Sequence, residues 1–153
     1  MLITVLAIVM GNNDTIADTS IYLHYYNNAG AWSLVDSQWA IAIFMYVCKI
    51  IGLTYIQFRI VYFACGLSII LHVVNRYIKK CTWFVLLYFL YPMMIDAAQI
   101  KNFMAMCFLT LALVCLVQEG NRNRLLFVLW CLVAAGFQIT AYAYLPSASF
   151  SIF

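Results

Sequence analysis

Apolar and polar residues follow each other along this chain in long blocks. Strongly apolar blocks cover residues 1–10, 55–74, 81–95, 103–117 and 125–145. A helix needs about 20 apolar residues to cross a bilayer. The first block is shorter than that, and predicts a short or incomplete span that begins near the cytoplasmic face. We therefore predict an all-α, polytopic transmembrane helical bundle with about five spans.

Residues 11–39 form the one long polar passage, and they hold three of the five acidic residues, Asp14, Asp18 and Asp36. An apolar segment, residues 37–53, then follows with Trp39 near its start. This segment either spans the membrane or lies along its surface, and the charges of the later linkers distinguish the two.

Basic residues are concentrated in two linkers. Residues 75–80 carry three positive charges and residues 119–124 carry two. The positive-inside rule assigns both linkers to the cytoplasm. If residues 37–53 spanned the membrane, the first linker would lie outside. We therefore predict a juxtamembrane interfacial helix there, within an extracytoplasmic loop of residues 11–53 in a single transmembrane domain, 1–153.

Composition excludes several classes of protein. Only 8% of the residues are charged, whereas soluble domains have about 25%. The composition therefore excludes a soluble domain and indicates a membrane protein. The net charge of +3 is small and dispersed, so no nucleic-acid partner is expected. The six cysteines lie in or beside apolar blocks without metal-ligand spacing, so no metal and no cofactor are predicted.

The acidic residues of the polar passage have two interpretations. After Asp18, Tyr22 and Tyr26 recur at the four-residue spacing of one helical face. Asp18 is then either an N-cap before an interfacial aromatic stripe, or a carboxylate that acts as a base or binds a sugar hydroxyl. Asp36, which precedes the predicted interfacial helix, has the same two interpretations.

Other polar residues lie close to the predicted outer ends of the spans. Lys101 and Arg59 either extend toward the interface or bind an anion such as phosphate. Gln138 either makes a helix–helix hydrogen bond or faces a cavity. Mixed acid and base beside lipid suits a lipid-diphosphate sugar. The residues predicted to surround one outer cavity are Asp18, Asp36, Arg59, Lys101 and Gln138.

At these residues the chain resembles the EpsG family, the Wzy-like membrane proteins that polymerise exopolysaccharides. The motifs that carry the resemblance are Asp18-Thr19-x-x-Tyr22-x-x-x-Tyr26, Gln99-Ile-Lys101-Asn102-Phe-Met-Ala105 and Gly136-Phe-Gln138-Ile-Thr140-Ala141. Lys101 stands where the family usually has arginine, and Gln138 where it usually has histidine. Family members are longer, so the chain is expected to match their N-terminal portion.

The resemblance implies a function in exopolysaccharide or capsule synthesis at the inner (plasma) membrane, on a GT-C-like fold. A glycosyltransferase-type polymerase would join sugar repeat units carried on polyprenyl diphosphate at the outer face, together with other polysaccharide-assembly proteins. Asp18 would be catalytic, and the substrate-binding residues would be Tyr22, Asp36, Arg59, Lys101 and Gln138. A non-catalytic transport or accessory subunit, and an inactive truncated relative, stay open as alternatives.

Overall fold

The structure is a computed structural model that describes residues 2–13, 19–30, 38–77, 87–88, 96–118 and 121–146. Within these ranges the regular structure is entirely helical. Asp18, Asp36 and nearly all of the predicted third span, residues 81–95, lie outside the described residues.

The described part of the chain contains six α-helices and one 3₁₀ helix with defined bounds, and residues 87–88 and 96–98 are also helical. In chain order the helices with defined bounds are α1 Leu2–Gly11, α2 Thr19–Asn27, α3 Trp39–Ile50, α4 Tyr55–Tyr77, α5 Ile100–Val117, α6 Asn121–Phe137 and the 3₁₀ helix Ile139–Tyr144.

Two helices of the described part are long and apolar enough to cross a membrane. Helix α4 has 23 residues and a mean hydropathy of 1.7, and α5 has 18 residues and a mean hydropathy of 2.1. At 1.5 Å per residue they measure about 34 and 27 Å, close to the roughly 30 Å of a bilayer core. The count of five spans and the likeness to a GT-C fold stay predictions.

The fifth apolar block differs from its prediction as one continuous span over residues 125–145. Helix α6 begins earlier, at Asn121, and ends at Phe137. Gln138 is extended, with φ −144° and ψ 116°, and a 3₁₀ helix follows. Ile139 and Thr140, which come next, are β-branched and favour the α-helix less. The apolar pattern alone does not predict where the α-helix ends.

Helices α4 and α5 run side by side in the same direction. The hydroxyl of Tyr62, in the N-terminal half of α4, donates to the carbonyl of Ile100 at 3.1 Å. At the other end, the carboxamide of Gln118 donates to the hydroxyl of Tyr77 at 2.7 Å. Helix α6 follows α5 after a short connection and packs against it. The N-termini of α4 and α5 therefore share one end of the bundle.

The middle of the α4–α5 contact depends on a glycine. A Cβ atom at Gly66 would collide with the ring of Phe103 and approach Cys107. The rings of Phe63 and Phe103 meet nearby, with centroids 5.2 Å apart. Small residues let membrane helices approach closely, and packing then holds them together.

Helix α2 is attached to the turn between α3 and α4. The buried Tyr26 hydroxyl donates to the carbonyl of Leu53 at 2.6 Å, and burial raises the pKa of Tyr26. The ammonium of Lys49 donates to the carbonyls of Asn27 and Ala29, just after α2. These bonds fix where α2 ends, and so where its aromatic residues lie.

Helix α3 corresponds to the segment predicted to lie at the interface. Its 12 residues give about 18 Å, which is too short to cross a bilayer core. It packs on α6, where a Cβ atom at Gly136 would lie 2.6 Å from Cε2 of Trp39. The length agrees with a helix that does not span, and its place at the membrane surface stays a prediction.

Candidate functional site

A cavity of about 250 Å³ lies where α2, the start of α5 and the end of α6 meet. We call it the polar cavity, and its lining residues are Tyr22, Gln99, Lys101, Asn102 and Gln138. A second cavity of about 130 Å³ adjoins it, because Tyr22 and Lys101 line both. We call this one the amphipathic cavity, since α3 adds apolar side chains to its wall.

Tyr22 reaches both cavities because Tyr26 anchors its helix. The two tyrosines lie on the same face of α2, and both are buried. The predicted helical face after Asp18 is therefore confirmed for Tyr22 and Tyr26. Since Tyr26 is bonded to the α3–α4 turn, Tyr22 is held one turn earlier, and only 8% of it is exposed.

Lys101 lies in the first turn of α5 between two tyrosine rings. Its ammonium is 5.4 Å from the ring centroid of Tyr22 and 5.9 Å from that of Tyr25. Both distances are within the range of cation–π attraction. Among the described residues, none that lines either cavity is acidic. An ammonium at the positive end of a helix dipole makes this a favourable place for an anion.

Three carboxamides complete the polar cavity. The side-chain nitrogen of Asn102 donates to the side-chain oxygen of Gln99 at 2.7 Å, across the first turn of α5. Gln138 stands at the break after α6, while its backbone N–H still donates to Ala134 at 2.9 Å. The break in the helix thus places a carboxamide at the cavity.

Arg59 lies in a different environment, at the contact between α1 and α4. It is fully buried, and its guanidinium donates to the carbonyls of Met10 at 3.1 Å and Asn13 at 2.9 Å. Its guanidinium carbon is also 5.8 Å from the ring centroid of Tyr55. Arg59 therefore holds the end of α1, from which the polar passage starts.

The structure brings together three of the six predicted site residues, Tyr22, Lys101 and Gln138. Arg59 is not among the lining residues of either cavity. Its predicted contact with phosphate, like the roles of Asp18 and Asp36, stays a prediction.

Sequence reasoning missed Tyr25 and Gln99 as site residues. Tyr25 follows Tyr22 by three positions, and this spacing also brings side chains to one side of a helix. Gln99 precedes Asn102 by three positions at the start of α5, where a side-chain bond between them orients both. The helical spacing was therefore a signal for each of them.

A second polar contact lies just before α5. The hydroxyl of Tyr88 donates to a carboxylate oxygen of Asp96 at 2.7 Å. Burial raises the pKa of Asp96, and the hydrogen bond from Tyr88 opposes this increase. Asp96 is not among the lining residues of the polar cavity, so we assign this pair a structural role.

Comparison with known proteins gives one finding. The family model described as the EpsG family matches residues 1–153. No curated protein and no solved structure has significant similarity to the chain.

Proposed function

This chain belongs to the EpsG family and is a membrane protein of polysaccharide biosynthesis, and we propose that it joins sugar repeat units carried on polyprenyl diphosphate. The reaction takes place at the outer face of the inner membrane. The observation that carries the proposal is the polar cavity at the N-terminus of the membrane-length helix α5, where the described lining residues supply one ammonium and three carboxamides.

The place of the cavity supports a substrate with a lipid tail and a polar head. Tyr22 and Lys101 line it near the N-terminus of α5, which is an end of a membrane-length helix. Basic residues such as Arg76 and Arg122 lie at the opposite end of α4 and at the start of α6. The positive-inside rule then predicts that these basic residues lie on the cytoplasmic side and that the cavity faces the outside.

The chemistry requires a base and a cation at the diphosphate. A hydroxyl of the acceptor sugar attacks the anomeric carbon of the donor, and the bond from that carbon to the diphosphate oxygen breaks. We assign the hydroxyl proton to the carboxylate of Asp18. Lys101 stabilises the charge that develops on the departing polyprenyl diphosphate.

The remaining residues have supporting roles in the proposal. Tyr22 and Gln138 contact the substrate from the walls of the polar cavity. Asp36 binds a sugar hydroxyl. Arg59 fixes the end of α1 through its bonds to Met10 and Asn13, and so sets where the polar passage with Asp18 begins.

Replacing the proposed base tests this function. Asp18→Asn, expressed in a polymer-deficient strain within the full-length protein, should abolish polymer and leave the lipid-linked repeat unit to accumulate. Asp14→Asn is the matched control, because it removes a carboxylate from the same passage, and it should restore polymer like the wild type. Unchanged polymer with Asp18→Asn would overturn the assignment.

A further inference from the structure

We infer that the polar cavity is a carbohydrate subsite, which holds the sugar attached to the diphosphate while Lys101 contacts the diphosphate itself. This inference rests on the proposed function and adds to it. It divides the site into a sugar region, a phosphate region and a lipid region, in the order in which the substrate carries these groups.

The carboxamides of the polar cavity have the hydrogen-bonding character that sugars need. A sugar hydroxyl both donates and accepts, and a carboxamide does the same. The bond from Asn102 to Gln99 leaves the oxygen of Asn102 and the nitrogen of Gln99 without a partner among the described residues. The side chain of Gln138 likewise makes no hydrogen bond to any described residue.

Tyr22 supplies a flat apolar surface beside these polar groups. Its ring lines the cavity and is held by the buried face of α2. Aromatic rings offer large, rigid contact areas, and the C–H face of a pyranose packs against such a ring. A wall that combines carboxamides with an aromatic ring therefore suits a sugar.

A cavity for the diphosphate alone would be built differently. Phosphate sites usually combine several cations or backbone amides around one anion. Among the described residues, the wall of the polar cavity has one ammonium and three carboxamides. This ratio favours a largely neutral ligand with many hydroxyls, with its charge confined to the side where Lys101 lies.

The amphipathic cavity supports the order of the regions. It shares Tyr22 and Lys101 with the polar cavity, and Ile41, Ala42 and Met45 of α3 also line it. A diphosphate at Lys101 would then have apolar surface toward its lipid and carboxamides toward its sugar.

The test measures the affinity of the purified full-length protein for two lipids. One is the lipid-linked repeat unit extracted from a polymer-deficient strain, and the other is sugar-free undecaprenyl diphosphate. Gln138→Leu and Asn102→Leu should each weaken binding of the lipid-linked repeat unit at least tenfold, about 1.4 kcal/mol. Both should leave binding of undecaprenyl diphosphate within about twofold, which also shows that the variants are folded.

Gln118→Leu is the matched control, since this carboxamide lies at the far end of α5 beside Tyr77, and neither affinity should change. Equal losses for both lipids, or no loss with either variant, would overturn the carbohydrate subsite and leave the proposed function standing. If the wild type bound neither lipid, both the subsite and the proposed function would be overturned.

Discussion

Two regions of this molecule use a basic residue close to the N-terminal end of a membrane-length helix, and they use it in opposite ways. Arg59 in the first turns of α4 is fully buried and donates to carbonyls at and just beyond the end of α1. Lys101 in the first turn of α5 lines two cavities between two aromatic rings. Both residues were predicted as contacts for the same diphosphate.

The difference follows from which helix end each cation meets. The last carbonyls of a helix lack intrahelical partners and carry the negative end of its dipole. Arg59 meets that end of α1, so its charge is compensated by the protein. Lys101 lies at the positive end of the α5 dipole, where a cation is unfavourable unless an anion or an aromatic face is near. The first arrangement stabilises the fold, and the second is suited to binding an anion.

The largest expected effect is on stability at Arg59. Arg59→Met should lower the free energy of unfolding by roughly 1–3 kcal/mol for each buried carbonyl that loses its donor. Thermal unfolding in detergent measures this, with Arg76→Met at the far end of α4 as the control that changes little. An unchanged melting temperature for Arg59→Met would contradict the anchoring role.

Lys101→Met should affect activity and spare the fold. Polymer yield should fall at least tenfold at equal protein level, because the ammonium that stabilises the diphosphate is gone. The melting temperature should change little, because removing a cation from the start of a helix offsets the loss of its contacts with two aromatic rings. Lys101→Arg, which keeps the charge, should retain polymer. If the melting temperature fell together with the polymer yield, Lys101 would stabilise the fold as Arg59 does, which would contradict its assignment to the substrate.

A smaller effect is expected where the start of α5 is tied to α4. Tyr62→Phe removes the hydrogen bond to the carbonyl of Ile100 and should lower the free energy of unfolding by about 1 kcal/mol. Tyr142→Phe, at an exposed tyrosine, is the control. Equal melting temperatures for the two variants would mean that this bond does not hold the cavity wall.

The smallest effect concerns pH at Asp96. Burial raises its pKa above the usual 3.8, with the Tyr88 hydrogen bond opposing, so the folded state binds this proton more tightly than the unfolded state. Its contribution to stability is therefore fully present below pH 3.8 and is lost as pH rises through the raised pKa. The melting temperature of Asp96→Asn minus that of the wild type should be larger at pH 7 than at pH 3.5. A constant difference would contradict this.

The sequence predicted those elements whose signal is local. The apolar blocks at residues 55–74 and 103–117 correspond closely to Tyr55–Tyr77 and Ile100–Val117, because length and hydropathy alone define such helices. The four-residue spacing also placed Tyr22 and Tyr26 on one buried face.

The features that sequence did not predict depend on tertiary contacts. The end of α6 at Phe137 lies inside an apolar block, so hydropathy showed no break there. Arg59 and Lys101 look alike in sequence, and they differ only because α1 ends beside one and α2 packs beside the other. The same packing places Tyr25 in the wall of the amphipathic cavity and Gln99 in the wall of the polar cavity.

The most direct test of the account is the affinity for sugar-free undecaprenyl diphosphate, measured per folded molecule for two variants. Lys101→Met should weaken binding at least tenfold, because it removes the ammonium from the cavity wall. Arg59→Lys should leave the affinity of the folded fraction unchanged, because Arg59 bonds to the backbone of α1 and of the residues after it. The reverse pattern, with loss at Arg59 and none at Lys101, would contradict the account.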